Sequence, residues 1–174
     1  MVTWNLDTAH SEIEFKVRHM MISTVKGQFK NFEVSINSES DDISKGIVSV
    51  KIDTTSIDTK NEQRDQHLKS DDFFDTTEFP TITFVSTSVV GDVRDDFKIH
   101  GDLTVKGITK SIVVKAEFGG IAKDPWGNEK VGYTVKGAIN RSDFGLTWNA
   151  ALETGGVMVS DEVKFEGELQ FLKS

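Results

Sequence analysis

The 174-residue sequence has no cysteine, which excludes disulfides, zinc–thiolate sites, iron–sulfur clusters and cysteine nucleophiles together. It is also short of positive charge: 20 Lys and Arg face 28 Asp and Glu, so we expect no binding to nucleic-acid phosphates or anionic membrane surfaces. Long apolar runs are missing too. With 37% hydrophobic residues and a mean hydropathy of −0.30, the sequence predicts a soluble protein without stable membrane anchoring.

Signals for export and for catalysis are likewise absent. Residues 1–7 lack the basic start and apolar run of a secretory signal, so we expect a cytoplasmic protein, or an extracytoplasmic one if a leader has been removed. The sequence contains no Gly-x-Ser-x-Gly elbow, no His-Glu-x-x-His motif, no phosphate loop and no dinucleotide fingerprint. No cofactor is therefore predicted.

Period-two alternation of apolar and polar residues, the pattern of half-buried β-strands, dominates the sequence. It is clearest over residues 11–19, 97–105 and 163–171, and weaker runs at 32–36, 47–52, 81–85, 112–118 and 131–139 bring the total to about eight strands. Turn-like segments connect them, which leaves a sandwich or an up-and-down barrel. Residues 163–171 would span about 30 Å, and such long strands on consecutive hairpins favour a barrel, because closure removes exposed edges.

We therefore predict a single domain over residues 1–174: an all-β, eight-stranded antiparallel up-and-down barrel with one or two short helices. Thr59-Lys60-Asn61-Glu62 matches a capping box, so a short polar helix is expected over 63–70, with a second helical turn near 19–24. An aromatic cluster without alternation follows the first helix and suggests a cover over one opening of the barrel; it consists of Phe73, Phe74 and Phe79.

One face of the predicted strands is apolar and nearly free of charge. The side chains expected to line an interior tunnel are Phe15, Val17, Phe84, Leu103, Phe118, Val135 and Phe165. Gly101, Gly137 and Gly167 fall on the same face at mid-strand. They either leave clearance for an apolar guest or act as kinks that let the strands bend around a closed barrel.

Four histidines are the only side chains expected to titrate near neutral pH. His19 closes an apolar stripe at a strand end. His67 lies on the polar helix with Asn61, Arg64 and Asp65, and this group forms either a polar mouth or a solvated helix face. The other two histidines are expected in a turn and on the surface. None has the spacing of a metal-ligand pair, so no metal site is predicted.

An ordered set of motifs resembles the YceI family. Near the N-terminus the motifs are Trp4-x-Leu6-Asp7-x-x-His10-Ser11, Phe15-x-Val17-x-His19-Met20 and Val25-x-Gly27-x-Phe29. Further along they are Asn61-x-x-Arg64-Asp65-x-His67-Leu68-x-Ser70, Asp72-Phe73-Phe74-Asp75, Phe79-Pro80, His100-Gly101-x-Leu103-Thr104-x-Lys106-Gly107-x-Thr109 and Arg141-x-Asp143-Phe144-Gly145. The resemblance implies an extended, lipocalin-like eight-stranded barrel that holds a long apolar chain, typically a polyisoprenoid or a related amphiphile. It also implies homodimers and exported members, and it supplies no catalytic residue.

Three functions compete. The leading hypothesis is a protein that binds and carries an apolar or amphiphilic lipid without chemistry, using the predicted tunnel residues and glycines together with His19 and His67. The second is an enzyme that acts on such an amphiphile, with His19 or His67 as general base. The third is a structural or stress-induced protein whose barrel is filled by its own side chains.

Overall fold

The computed structural model describes residues 2–20, 22–40, 42–149 and 158–173. Within these residues eleven strands form one antiparallel sheet, and one α-helix, α1 (Glu62–Lys69), lies outside it. The strands are β1 (Val2–Leu6), β2 (Glu12–His19), β3 (Ser23–Phe29), β4 (Phe32–Ser38), β5 (Ile47–Asp53), β6 (Ile57–Asp58), β7 (Thr81–Gly91), β8 (Asp96–Val105), β9 (Ile108–Lys123), β10 (Glu129–Asn140) and β11 (Val159–Lys173).

The sheet closes into a barrel through a short pairing between β11 and β1. Eight strands follow one another in the order β1, β4, β5, β7, β8, β9, β10 and β11, and β11 returns to β1 with Leu6 opposite Phe171. The first half of β11 pairs instead with β2, placing Val163 opposite Val17, and the sheet continues from β2 to β3 and β6. The predicted eight-stranded antiparallel barrel is confirmed, and closure leaves β11 with neighbours along its whole length.

The predicted helical turn at 19–24 is wrong. The ladder between β2 and β3 runs from Glu14 opposite Gln28 to His19 opposite Ser23, so this segment is a β-hairpin. Met20 takes a left-handed backbone with φ of 53°, and Met21 lies outside the described residues. The strand β3 was not predicted, because its sequence STVKGQF carries only a weak apolar alternation. Its cross-strand hydrogen bonds with β2 override that weak local signal.

The predicted capping box is also wrong, although the helix is present. Asn61 is the N-cap, and its side chain accepts a hydrogen bond from the Arg64 amide at 3.0 Å. Lys60 has φ of +61°, which turns the chain between Thr59 and the helix. This turn sends the Thr59 side chain to Asp65 instead of to the helix N-terminus. Thr59 therefore organises side chains beneath the helix.

Two apolar clusters pack the two ends of the barrel. One lies at the end where β7 and β11 finish and includes Trp4, Phe97 and Phe171. The other lies under α1 at the opposite end and is built around Phe73, Phe144, Leu146 and neighbouring side chains. Residues of both clusters also line the cavity described next.

Candidate ligand-binding cavity

A cavity of about 370 Å³ lies inside the barrel, and residues of both apolar clusters line it. This volume lies within the range of roughly 300–1,000 Å³ that is typical of small-molecule sites. Its wall is almost entirely aliphatic and aromatic. Many of the inward apolar side chains, such as Phe15, Val17, Val135 and Phe165, are only half-buried. Since the strands carry these side chains on the lumen side, their exposed surface faces the cavity, and the barrel is not filled by its own side chains.

The structure places nine of the twelve predicted binding residues on the cavity wall. These nine are Phe15, Val17, His19, His67, Phe84, Leu103, Val135, Phe165 and Gly167. The remaining three, Phe118, Gly101 and Gly137, do not line it. The structure shows that these nine residues share one cavity wall. Their role in holding a ligand stays a prediction.

Phe118 lies against a second, smaller pocket of about 100 Å³ near Trp4. The β9–β10 ladder shifts its register between Gly132 and Tyr133, next to Phe118. Because of this irregularity, the alternation along β9 does not predict where Phe118 lies. The Phe118 ring packs 5.9 Å from the Tyr133 ring. Tyr133 itself lines both pockets, and burial raises the pKa of its phenol to about 12.

The mid-strand glycines serve as seats for aromatic rings. A Cβ added at Gly101 would lie 2.5 Å from the ring of Phe84, and one added at Gly137 would lie 2.6 Å from the ring of Phe165. Neither glycine has a positive φ, so neither is a left-handed kink. Phe165 is the direct cross-strand partner of Gly137 and lies over it, the arrangement in which an aromatic ring covers a strand glycine.

The clearance interpretation therefore needs correction for Gly101 and Gly137, which do not line the cavity, whereas the kink interpretation stays a prediction. Gly101 and Gly137 do not clear the lumen directly; they let phenylalanine rings lie along the wall instead of projecting across it. Gly27 plays the same part for Phe15, which stands opposite it in the β2–β3 ladder. Two of these rings stand directly opposite their glycine in the ladder, whereas Phe84 reaches Gly101 from a diagonal position.

Polar side chains meet the cavity at the helix end. Arg64 lines the wall and is fixed by Thr59: its Nε donates to the Thr59 hydroxyl at 2.8 Å and its Nη2 to the Thr59 carbonyl at 2.7 Å. Thr59 is 4% exposed, and its amide and hydroxyl both donate to one carboxylate oxygen of Asp65, at 2.9 and 2.5 Å. Of the predicted polar mouth, Arg64 and His67 reach the cavity, whereas Asn61 caps the helix and Asp65 holds Thr59.

His67 stands beside Arg64 on the same helix and has a carboxylate partner that the sequence did not reveal. Its Nε2 lies 2.8 Å from Oδ2 of Asp72, and its ring makes edge contacts with Phe73 at 5.1 Å and with Trp148 at 4.8 Å. The aromatic rings and the carboxylate fix the imidazole at the cavity wall. His19 reaches the same wall from the end of β2.

Arg141 is a second arginine on the wall, and sequence reasoning missed it. It is 5% exposed, and its three guanidinium nitrogens donate to the carbonyls of Ser160, Leu146 and Val159 at 2.9, 2.5 and 3.3 Å. Burial lowers the pKa of the guanidinium, while the nearby Asp161 opposes that shift. These bonds tie the segment after β10 to the start of β11, so Arg141 supports the barrel. Its only sequence signal was its place in the last family motif.

Comparison with known proteins identifies the group to which this barrel belongs. The YceI-like domain model matches residues 4–171, nearly the whole chain. The chain belongs to the YceI family. The UPF0312 protein SAS2572 of Staphylococcus aureus, strain MSSA476, is 46% identical over 172 residues, which cover 98% of each chain.

Solved YceI-type structures have the same fold. The YCEI protein of Campylobacter jejuni is 34% identical, with a TM-score of 0.77 over 97% of this chain and 96% of that one. A polyisoprenoid binding domain from Saccharophagus degradans is 17% identical, with a TM-score of 0.76 and full coverage of both chains. At that identity the likeness concerns the fold alone.

No helix within the described residues has the length and apolarity that a membrane span requires. No three His, Asp or Glu side chains among the same residues converge closely enough to hold a metal ion.

Proposed function

We propose that this YceI-family protein binds a long apolar or amphiphilic lipid of polyisoprenoid type inside its barrel and carries it without chemical change. The observation that supports this most directly is the 370 Å³ cavity with its apolar, half-buried wall. An engineered apolar cavity of about 150 Å³ already binds benzene, so a void of this size and character is suited to a larger hydrocarbon. The polyisoprenoid ligand class named for the Saccharophagus degradans barrel agrees with this choice.

The driving force is removal of the guest from water. Each 100 Å² of apolar guest surface that enters the cavity contributes about 2.5 kcal/mol, offset by the loss of guest motion. The wall offers few polar groups to hydrogen-bond along the chain of the guest, so affinity depends on length and shape more than on functional groups. Such binding tolerates related lipids, which fits a carrier.

The enzyme alternative rests on a specific contact, the 2.8 Å pair between His67 and Asp72. A carboxylate that orients an imidazole is a common arrangement for a general base. A base alone does not define a reaction, and the cavity wall around His67 is formed by Phe73, Trp148 and Leu68, which offer no nucleophile. We therefore assign His67 to ligand contact.

Native mass spectrometry of protein purified without detergent separates these functions. A lipid-sized adduct that is released unchanged supports the carrier. Release of a modified lipid, with the modification lost in His67→Gln or His19→Gln, supports the enzyme. A protein that carries no adduct and takes none up from added polyprenol contradicts the proposal. The cytoplasmic location and the homodimer stay predictions, to be checked by cell fractionation and analytical ultracentrifugation.

A further inference from the structure

Two side chains separate the main cavity from the smaller pocket of about 100 Å³. Ile43 and Tyr133 line both spaces, so together they form the partition between them. Ile43 is buried and comes from the turn at Ile43–Lys45, which connects β4 to β5. Tyr133 comes from β10, on the opposite side of the ring of eight strands. The partition is therefore built from two facing walls of the barrel.

An irregularity in the sheet places Tyr133 at the partition. In the ladder between β9 and β10, Gly132 stands opposite Gly120. The next residue, Tyr133, stands opposite Phe118, which leaves Gly119 as an extra residue on β9. A Cβ added at Gly119 would lie 3.2 Å from the carbonyl oxygen of Gly132, so the strands approach closely here. A bulge of this kind re-aims the side chain beside it.

Other aromatic rings hold the Tyr133 ring in place. The ring centroids of Phe97, Phe118 and Phe171 lie 5.8, 5.9 and 6.3 Å from its own, within the range of favourable aromatic pairs. In the described part of the chain no group is hydrogen-bonded to the Tyr133 hydroxyl, and burial is the main cause of its raised pKa. Ring packing therefore fixes this side chain, and its hydroxyl contributes little to its position.

The smaller pocket offers further space on the far side of the partition. Its wall includes the apolar side chains of Trp4, Phe118 and Val131, and it reaches the surface at the exposed Arg94. The indole nitrogen of Trp4 is buried and has no hydrogen-bond partner among the described residues, which indicates incomplete packing there. An apolar chain that passed the partition would gain additional apolar contact.

We propose that Tyr133, together with Ile43, ends the lumen and sets the longest apolar chain that the barrel can enclose. This inference rests on the proposed function and adds to it the residue that selects guests by chain length. Carbons that fit before the partition leave water, whereas the carbons of a longer chain stay outside the lumen. For guests with one head group, affinity therefore rises with chain length and then stops rising.

A homologous series of primary alcohols tests this limit. Octanol and its longer homologues, in steps of two carbons, are titrated below their aggregation concentrations against a fluorescent apolar probe. The series is extended until the affinity of the wild type stops rising. It is then repeated with Tyr133→Ala, Ile43→Ala, Tyr133→Phe and Phe118→Ala. Phe118→Ala is the matched control, because it removes a ring from the same aromatic cluster at a residue that lines the smaller pocket and not the main cavity.

For the wild type we expect the affinity to rise about fourfold per methylene up to the limit. In Tyr133→Ala the rise should continue, so that the next alcohol binds about 15-fold more tightly than the one at the wild-type limit. Ile43→Ala should move the limit in the same direction. Tyr133→Phe restores the ring and should restore the limit, and Phe118→Ala should keep the wild-type limit.

Three results overturn the inference and leave the carrier intact. They are an unchanged limit in folded Tyr133→Ala, a limit that Phe118→Ala lengthens as much as Tyr133→Ala does, and a wild-type affinity that rises up to the longest soluble alcohol. Ile43→Ala is the smaller truncation and decides the question if Tyr133→Ala does not fold. Failure of every alcohol and of added polyprenol to enter the wild-type barrel removes the carrier and this inference together.

Discussion

The glycine at position 137 offers the sharpest test of how the cavity is kept open. A Cβ at this residue would lie 2.6, 3.0 and 3.3 Å from three carbons of the Phe165 ring, all inside normal contact. The strand pairing fixes the backbone of both residues, so the ring is the part that moves. Its open side is the lumen. Gly137→Leu should therefore drive Phe165 off the wall and into the path of the guest.

The magnitude follows from the area that the ring occupies. A Phe side chain buries about 150–250 Å² when packed, so a ring turned into the lumen displaces on the order of 100 Å² of guest contact. At about 25 cal/mol per Å² this loss is about 2.5 kcal/mol, or roughly 70-fold in affinity. Overpacking a filled core costs about 1–3 kcal/mol, and the open lumen should keep the stability loss at the lower end of that range.

The assay compares two variants of the same strand. Gly137→Leu is titrated with a long-chain lipid beside Ala138→Leu, whose added side chain points outward from an exposed position. Urea denaturation of both variants confirms that the barrel is folded. We expect a large loss of affinity in the first and wild-type affinity in the second. A folded Gly137→Leu that binds as tightly as wild type would refute the idea that ring placement controls the lumen, and Gly137→Ala repeats the test if Leu prevents folding.

Three further predictions concern the polar residues. Thr59→Ala removes a buried hydroxyl that accepts from Arg64, so urea titration should show a loss of about 1.5–3 kcal/mol, and ligand release measured by stopped flow should accelerate. His67→Gln should weaken lipid binding by about 0.5–1.5 kcal/mol, or up to about 3 for a charged head group, with no change in the lipid recovered by mass spectrometry. The hydrogen bond from Lys130, followed by the one from His10, lowers the pKa of Asp7. The stability that Asp7 contributes is therefore complete above its unfolded pKa near 3.8 and is lost as the pH falls through the lower folded value. Lys130→Gln should reduce this acid-induced loss of stability in urea titrations between pH 7 and pH 2.

The architecture was predictable because alternation is a local property. Strands such as β2, β8 and β11 carry apolar residues at every second position, and their length pointed to closure. The strand β3 escaped prediction because its stability comes from pairing with β2 and not from its own pattern. The N-cap of α1 was predicted at Thr59, two residues before the observed Asn61, because the left-handed Lys60 between them has no clear sequence signal.

The site was predictable only from the alternation of side chains between the two faces of a strand. This alternation put Phe84 and Phe165 on the inner face but gave no information on which glycine each ring covers. Gly101 sits 17 positions after Phe84 in the chain, and Gly137 comes 28 positions before Phe165. Only the register between neighbouring strands brings each pair together. The same holds for His67 and Asp72, whose contact depends on the turn that follows α1.

The open interior itself argues for a guest. Core voids cost stability at about 24 cal/mol per Å³, so an empty space of 370 Å³ forgoes roughly 9 kcal/mol of packing, an amount comparable to the whole stability of a typical domain. Larger side chains on the cavity wall itself, for example at Gly167, would recover part of it. The void coexists with well-packed regions around Phe171 and Phe144, which are 2% and 1% exposed. Because a structural barrel would gain by filling that space, the open interior supports the proposed ligand, which would complete the core when it binds.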